Sequence, residues 1–182
     1  MFKEIETERL WLKNISDEDI EFIFEQFSND DINRYLYDAE PMKEVSEAQE
    51  LIDFYTVSEP KSQHRWILVR KSDGAKLGTC GFHCWNPQQH SIETGYDLRK
   101  EYWGNGYMTE AMEAIIEYVE TDLGIESMDA HIAIQNEKSI ALIKKLGFAF
   151  YGRTENYHFR GEDYMHYVYT KKREATIGCG NI

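Results

Sequence analysis

Residues Tyr102 to Ala111 read YWGNGYMTEA, with Gly104 and Gly106 one residue apart just before a new apolar run. Two kinds of local chemistry fit such a stretch. Asn-Gly between apolar residues is a strong signal for a hairpin turn. Two glycines at the start of a helix can instead let backbone N–H groups approach a phosphate. The downstream residues choose between them. Ala111, Ala114, Ile115 and Tyr118 share one helical face, with Met108, Met112 and Val119 beside it. Glu110, Glu113, Glu117 and Glu120 lie mostly elsewhere, and Gly124 is placed to stop the helix. The upstream residues Ser91 to Leu98 read as a strand. The glycines therefore join a strand to a helix, and the hairpin reading is excluded. A helix start leaves about four N–H groups unpaired and carries roughly half a positive charge. The segment lacks the Gly-Lys-Ser/Thr of a P-loop and the third glycine of a dinucleotide fingerprint.

The elements that must position this junction follow from periodicity. Arg9 to Lys13 is a first strand. Ser16 offers an N-cap to a helix carrying Ile20, Ile23, Phe24 and Phe27, and Asn29 with two aspartates ends it. Ser46-Glu47-Ala48-Gln49 is a capping box for a second helix, closed by Pro60. Arg65–Val69 and Leu77–Cys84 form a hairpin around the turn Ser72-Asp73-Gly74. Beyond the glycine helix, Ser127 to Ile134 alternates as a strand. Asn136 caps a helix carrying Ile140, Leu142, Ile143 and Leu146, which Gly147 stops. Phe148–Tyr151 and Asp163–Tyr169 are further strands. The order β, α, α, β, β, β, α, β, α, β, β predicts an α/β fold with a mixed sheet.

The whole chain of 182 residues suggests one domain, spanning 1–172, with a frayed tail over 173–182. Its formal charge is 20 minus 33, or −13. Such a surface disfavours nucleic acid and anionic membranes as partners and attracts cations. No apolar run reaches the roughly 18 residues of a membrane span, and the N-terminus lacks a secretory h-region. Three cysteines, Cys80, Cys84 and Cys179, argue against a disulfide framework, so a cytoplasmic protein is expected. The six histidines show no metal-ligand spacing, and Cys80 and Cys84 lack the CxxC pattern, so no metal is expected. His83, between Phe82 and Cys84, reads as structural.

IETGYDLRKEYWGNGYMTEA, together with NEKSIALIKKLGF, resembles the GNAT N-acetyltransferase superfamily. The opening ETERLWLKNISDEDIEFIF is similar to the branch that acetylates ribosomal-protein N-termini. The likeness spans nearly all of residues 5 to 172. It implies a twisted mixed sheet of about seven strands, splayed in a V and flanked by about four helices. It also implies acetyl-CoA in the split, with pyrophosphate on Trp103, Gly104, Asn105, Gly106, Tyr107, Met108 and Thr109. Backbone groups of Tyr96, Asp97 and Leu98 would meet the pantetheine arm, as would Asn136. Met108 stands where the family usually has Gly or Ala, and adds bulk near the phosphates.

The implied reaction passes an acetyl group to a primary amine, of a protein N-terminus or a small molecule. The amine must lose a proton, the carbonyl oxygen must be stabilised and the thiolate must leave. The resemblance makes Glu93 the candidate base. It makes Ser139 the candidate proton donor, because the family's usual tyrosine position holds Ile143. Asn136 and Ser139 are also simply a helix cap and its third residue. The acidic side chains Asp31, Asp38 and Glu40 are candidates for attracting a cationic acceptor. A catalytically silent CoA-binding module is the competing reading; dimers are common among similar proteins, and the sequence leaves a homodimer open.

Overall fold

The computed structural model describes residues 2–37, 39–56 and 61–174. Eight strands form one sheet: β1 (Ile5–Glu6), β2 (Leu10–Asn14), β3 (His64–Arg70), β4 (Lys76–Asn86), β5 (Ser91–Leu98), β6 (Ser127–Ala133), β7 (Ala149–Phe159) and β8 (Glu162–Lys172). Among the described residues five α-helices accompany them: α1 (Ile20–Phe27), α2 (Asp30–Asn33), α3 (Val45–Thr56), α4 (Tyr107–Thr121) and α5 (Glu137–Lys145). The spatial order is β1-β2-β3-β4-β5-β6-β8-β7. Every neighbouring pair is antiparallel except β5–β6. A mixed sheet is thus present, with one strand and one helix more than expected. The extra strand is the two-residue β1 and the extra helix the four-residue α2, both too short to leave a periodic signal.

β5 and β6 pair only over Ser91–Glu93 and Ser127–Asp129. Beyond Glu93 the two strands part. β6 continues against β8, and β5 continues against β4. The V therefore opens where Glu93 sits, with Thr94 to Leu98 along one arm.

The sheet packs on both faces. Strand β3 shows the alternation that makes this possible. Trp66 and Leu68 enter a cluster with Leu10, Phe82, Met112 and Ile115 beneath α4, while Ile67 enters another with Ile23 and Ile52 beneath α1 and α3. Each of these side chains is at most 1 % exposed. Such burial contributes about 1.5–3 kcal/mol per large aliphatic or aromatic residue.

Several boundaries differ from the sequence expectation, each for a local reason. Asn29 does not end α1 but caps α2, accepting from the Asp31 N–H at 2.8 Å. Ser46 lies inside α3, which begins at Val45; the Glu47 carboxylate reaches back to the N–H groups of Lys43 and Glu44. Strand β7 runs on to Phe159, far past Tyr151, because cross-strand pairing with β8 outweighs its polar composition. Pro60 and the tail beyond residue 174 lie outside the described residues. The α5 signals act as read. The Asn136 side chain accepts from Ser139 N, and Gly147 (φ +85°) turns the chain so that Phe148 N bonds Ile143 O at 3.1 Å.

Candidate active site

The glycine loop adopts the conformation its residues require. Gly104 and Gly106 have φ of +77° and +79°, where a side chain is strained. Gly106 is the N-cap of α4, and no side chain caps that helix start. Loop residues 104–106 are exposed, and a Cβ placed on Gly104 would meet nothing within 4 Å. The outer face of the turn is therefore open to a bulky anion, with the helix's first N–H groups behind it. These residues fit a pyrophosphate.

Side chains hold the loop from behind. Asn105 Nδ2 donates to the carbonyls of Tyr102 and Trp103 at 3.1 and 3.0 Å. Arg9 Nη1 donates to Asn105 O at 2.9 Å, and its guanidinium lies 4.7 Å from the Tyr107 ring centre. Glu110 holds Arg9 in turn, accepting from its Nε at 2.6 Å and from Thr7 Oγ1 at 2.6 Å. The pairing of Arg9 with Glu110 escaped the sequence reading, because 101 residues separate them and each lies in a different motif. Met108 does not crowd the cradle as its bulk suggested. It is 6 % exposed and points into the core, since the second helical position turns inward. Thr109 follows it on α4, partly exposed.

Trp103 ties the loop to both sides of the split. Its Nε1 donates to Leu98 O at 2.7 Å, so that carbonyl already has one partner. Lys138, at the start of α5, places its ammonium 4.1 Å from the Trp103 ring centre.

Ser139 lies at that same α5 start, its N–H 3.2 Å from Asn136 Oδ1. Its Oγ is 2.6 Å from the hydroxyl of Tyr96 on β5. The pair crosses the split. Burial pushes the Tyr96 phenol well above its ordinary value, so it stays protonated. Ile143 is fully buried in the core and takes no part.

Glu93 stands at the apex of the V. Its Oε2 is 3.3 Å from His83 Nε2 on β4 and 3.7 Å from His131 Nε2 on β6. The hydrogen bond from His83 holds its carboxyl below the usual glutamate range against the opposing effect of burial. His131 is oriented by Tyr157, whose hydroxyl is 2.9 Å from Nδ1. His83, read from sequence as structural, thus faces the candidate base. Strand pairing alone brings these groups together, so local spacing gave no sign of them.

The Asp97 side chain turns away from the loop. Its carboxylate accepts from Gln26 Nε2 (2.6 Å), Arg65 Nη1 (3.0 Å), Thr79 N (3.1 Å) and Thr79 Oγ1 (2.5 Å). Both members of the Arg65–Asp97 pair are largely buried, with side chains 15 % and 8 % exposed. This network braces the arm of the V that carries Tyr96. Next to it, a cleft of about 520 Å³ lies between α1–α2 and the end of β5, lined by Gln26, Asn29, Ile32, Arg99 and Lys100 among others. Two acidic side chains expected to draw in a cation are already paired: Asp31 with Lys100 at 3.1 Å, and Glu40 with Arg160. Asp38 lies outside the described residues.

Comparison with known proteins agrees with this fold. The family described as acetyltransferase (GNAT) domain matches residues 9–149. An uncharacterised N-acetyltransferase of Bacillus subtilis (strain 168), YoaA, is 35 % identical over 178 residues, covering 96 % of this chain and 100 % of that protein. The spermidine N-acetyltransferase of Vibrio cholerae, solved with CoA and spermine, superposes with a TM-score of 0.79. It is 21 % identical, over 90 % of this chain and 95 % of that one. A ribosomal-protein-S5-alanine acetyltransferase from Vibrio fischeri superposes at 0.76 and 22 % identity, over 94 % and 97 % of the two chains. Among the described residues, no helix is long and apolar enough to cross a membrane.

Proposed function

The chain belongs to the GNAT acetyltransferase family and is an acetyl-CoA-dependent N-acetyltransferase; on that premise, we propose that it acetylates a primary amine by direct attack within the V between β5 and β6. The carrying observation is the meeting of three features at one split. Glu93 marks its apex, the uncapped glycine loop its mouth, and the Tyr96–Ser139 pair spans it. Bound acetyl-CoA supplies the activated acetyl group and a thiolate leaving group.

The chain's residues do the rest. Gly104, Gly106 and the first N–H groups of α4 hold the pyrophosphate; Trp103, Asn105, Tyr107 and Thr109 shape and close that loop. The backbone of Tyr96, Asp97 and Leu98 beyond the β5–β6 pairing, with Asn136, aligns the pantetheine arm. An N–H of that backbone stabilises the carbonyl oxygen. Glu93 takes the proton from the attacking amine, directly or through one water. His83 is hydrogen-bonded to it and 42 % exposed, which gives the proton a way to solvent. Ser139 donates to the departing sulfur while accepting from Tyr96, whose phenol remains protonated.

The acceptor is a polyamine or a protein N-terminus, in line with the names of a similar spermidine N-acetyltransferase and a similar ribosomal L7/L12 alpha-N-protein acetyltransferase. The net charge of −13 favours either. Thiol release from acetyl-CoA, measured with spermidine and with an alanyl peptide, tests this. Saturable release with at least one of them is expected. Release no faster with amine than without it overturns the reading.

A further inference from the structure

Strand β4 carries a β-bulge at the apex of the V. The pairing shifts between His83, opposite Glu93, and Asn86, opposite Ser91. Cys84 sits in the bulge with φ of +53°, unusual for a residue with a side chain. A bulge breaks the in-out alternation and re-aims a side chain. Here it places His83 and the next residue, Cys84, on the face that carries Glu93. The imidazole nitrogen, the thiol sulfur and a Glu93 oxygen all lie within 4.8 Å of one another. A fourth donor is beside them, since His131 Nε2 is 3.7 Å from the same Glu93 oxygen.

We propose that His83, Cys84, Glu93 and His131 form a zinc site that competes with the amine acceptor for the apex of the V. Three observations choose the ion. A thiol with two imidazoles suits a borderline-soft cation, whereas magnesium and calcium take oxygen ligands. Zinc's bond lengths set neighbouring ligand atoms about 3.3–3.7 Å apart in a tetrahedron. The Glu93–His83 separation of 3.3 Å already matches an oxygen–nitrogen edge, and the Glu93–His131 separation of 3.7 Å needs to close by a few tenths of an ångström. The outer support is also in place. His131 Nδ1 faces Glu155 Oε2 at 3.3 Å and the Tyr157 hydroxyl at 2.9 Å, which turns Nε2 toward Glu93; Arg153 Nη2, 3.5 Å from Nε2, must give way when the ion binds.

Binding releases the thiol proton to solvent and forms a zinc–thiolate bond; no electrons move. It also ties up the Glu93 carboxylate, so zinc turns acetyl transfer off. That last consequence rests on the role proposed for Glu93. The binding itself does not.

The test uses chelator-stripped full-length protein. Calorimetric titration with zinc reads stoichiometry and affinity. Cobalt substitution reads the ligands, through a thiolate-to-cobalt charge-transfer band. One equivalent of zinc is expected, weakened in Cys84→Ser and His83→Gln by at least the roughly 10- to 100-fold that loss of an outer-shell partner costs. The thiolate band is expected in the parent and absent from Cys84→Ser. Circular dichroism verifies that both variants are folded. No zinc binding, or binding and a cobalt spectrum indifferent to both substitutions, overturns the site. Acetylated product, counted by mass spectrometry with and without zinc, reads competition. Tight binding without inhibition overturns the competition and counts against Glu93 as the base. Failure to bind zinc leaves the acetyltransferase reading where it was.

Discussion

Replacing Ser139 with alanine separates the helix-capping role of this region from its chemistry. The cap belongs to Asn136 Oδ1 and the Ser139 N–H, which alanine keeps. What is lost is Oγ, and with it the 2.6 Å partner of the Tyr96 hydroxyl. The remaining acceptor nearby is the Ser139 carbonyl at 3.5 Å, the outer limit of a hydrogen bond. A buried hydroxyl left poorly paired costs about 1–3 kcal/mol. For a chain of this size, each kcal/mol lowers the melting temperature by about 2–4 °C. A fall of several degrees is therefore expected in a thermal melt. Turnover should fall further than stability suggests. Removing one donor to a developing anion typically costs 10²–10³ in kcat, or about 2.7–4 kcal/mol. Single-turnover thiol release at saturating acetyl-CoA isolates that step. Tyr96→Phe removes the donor to Ser139 while leaving its hydroxyl in place, so a smaller loss on the order of 10-fold is expected. The double variant should lose little more than Ser139→Ala, because the two hydroxyls act as one unit. If Ser139→Ala keeps parental turnover while Tyr96→Phe loses it, the tyrosine meets the sulfur and the serine only positions it. If neither substitution changes turnover, the pair has no part in the reaction.

Two further outcomes follow from the site. Glu93→Gln should lower kcat/KM by about 10²–10⁴. With the Glu93 carboxyl held below its usual range, the parent's neutral-pH profile should rise only with deprotonation of the acceptor, near pH 8 for a peptide amine. Unchanged amplitude in the variant would remove Glu93 from the mechanism. Asp97→Asn takes the counter-charge from buried Arg65, at a cost of about 3–5 kcal/mol. With a urea slope of about 2–3 kcal/mol/M, the unfolding midpoint should drop by roughly 1–2.5 M. An unmoved midpoint would show that the Gln26 and Thr79 hydrogen bonds carry the brace without the charge.

Local signals settled much of this protein in advance. The helix face over Met108–Val119, the caps at Asn136 and Gly147, and the alternation in β5 and β6 each depend on residues within a turn or two. Backbone geometry acts over that range, so these elements stand almost where the spacing put them. The glycine junction was legible for the same reason: positive φ at Gly104 and Gly106 is a property of the residues themselves. Length and spacing could not say which side chains would face one another across strands. The Tyr96–Ser139 pair spans 43 residues, and Arg9 reaches Glu110 over 101. His83, Cys84, Glu93 and His131 meet because a bulge in β4 and the parting of β5 from β6 coincide at one level of the sheet. Asp97 and Met108 were placed near the cofactor through their backbones, which left the side chains unassigned. Those side chains lie in a buried ion pair and in the core, because a buried arginine needs a counter-charge and an apolar side chain leaves water. Sequence determined the elements and the backbone cradle. Tertiary structure alone decided the acid–base partners, because register and splay are collective properties of the whole sheet.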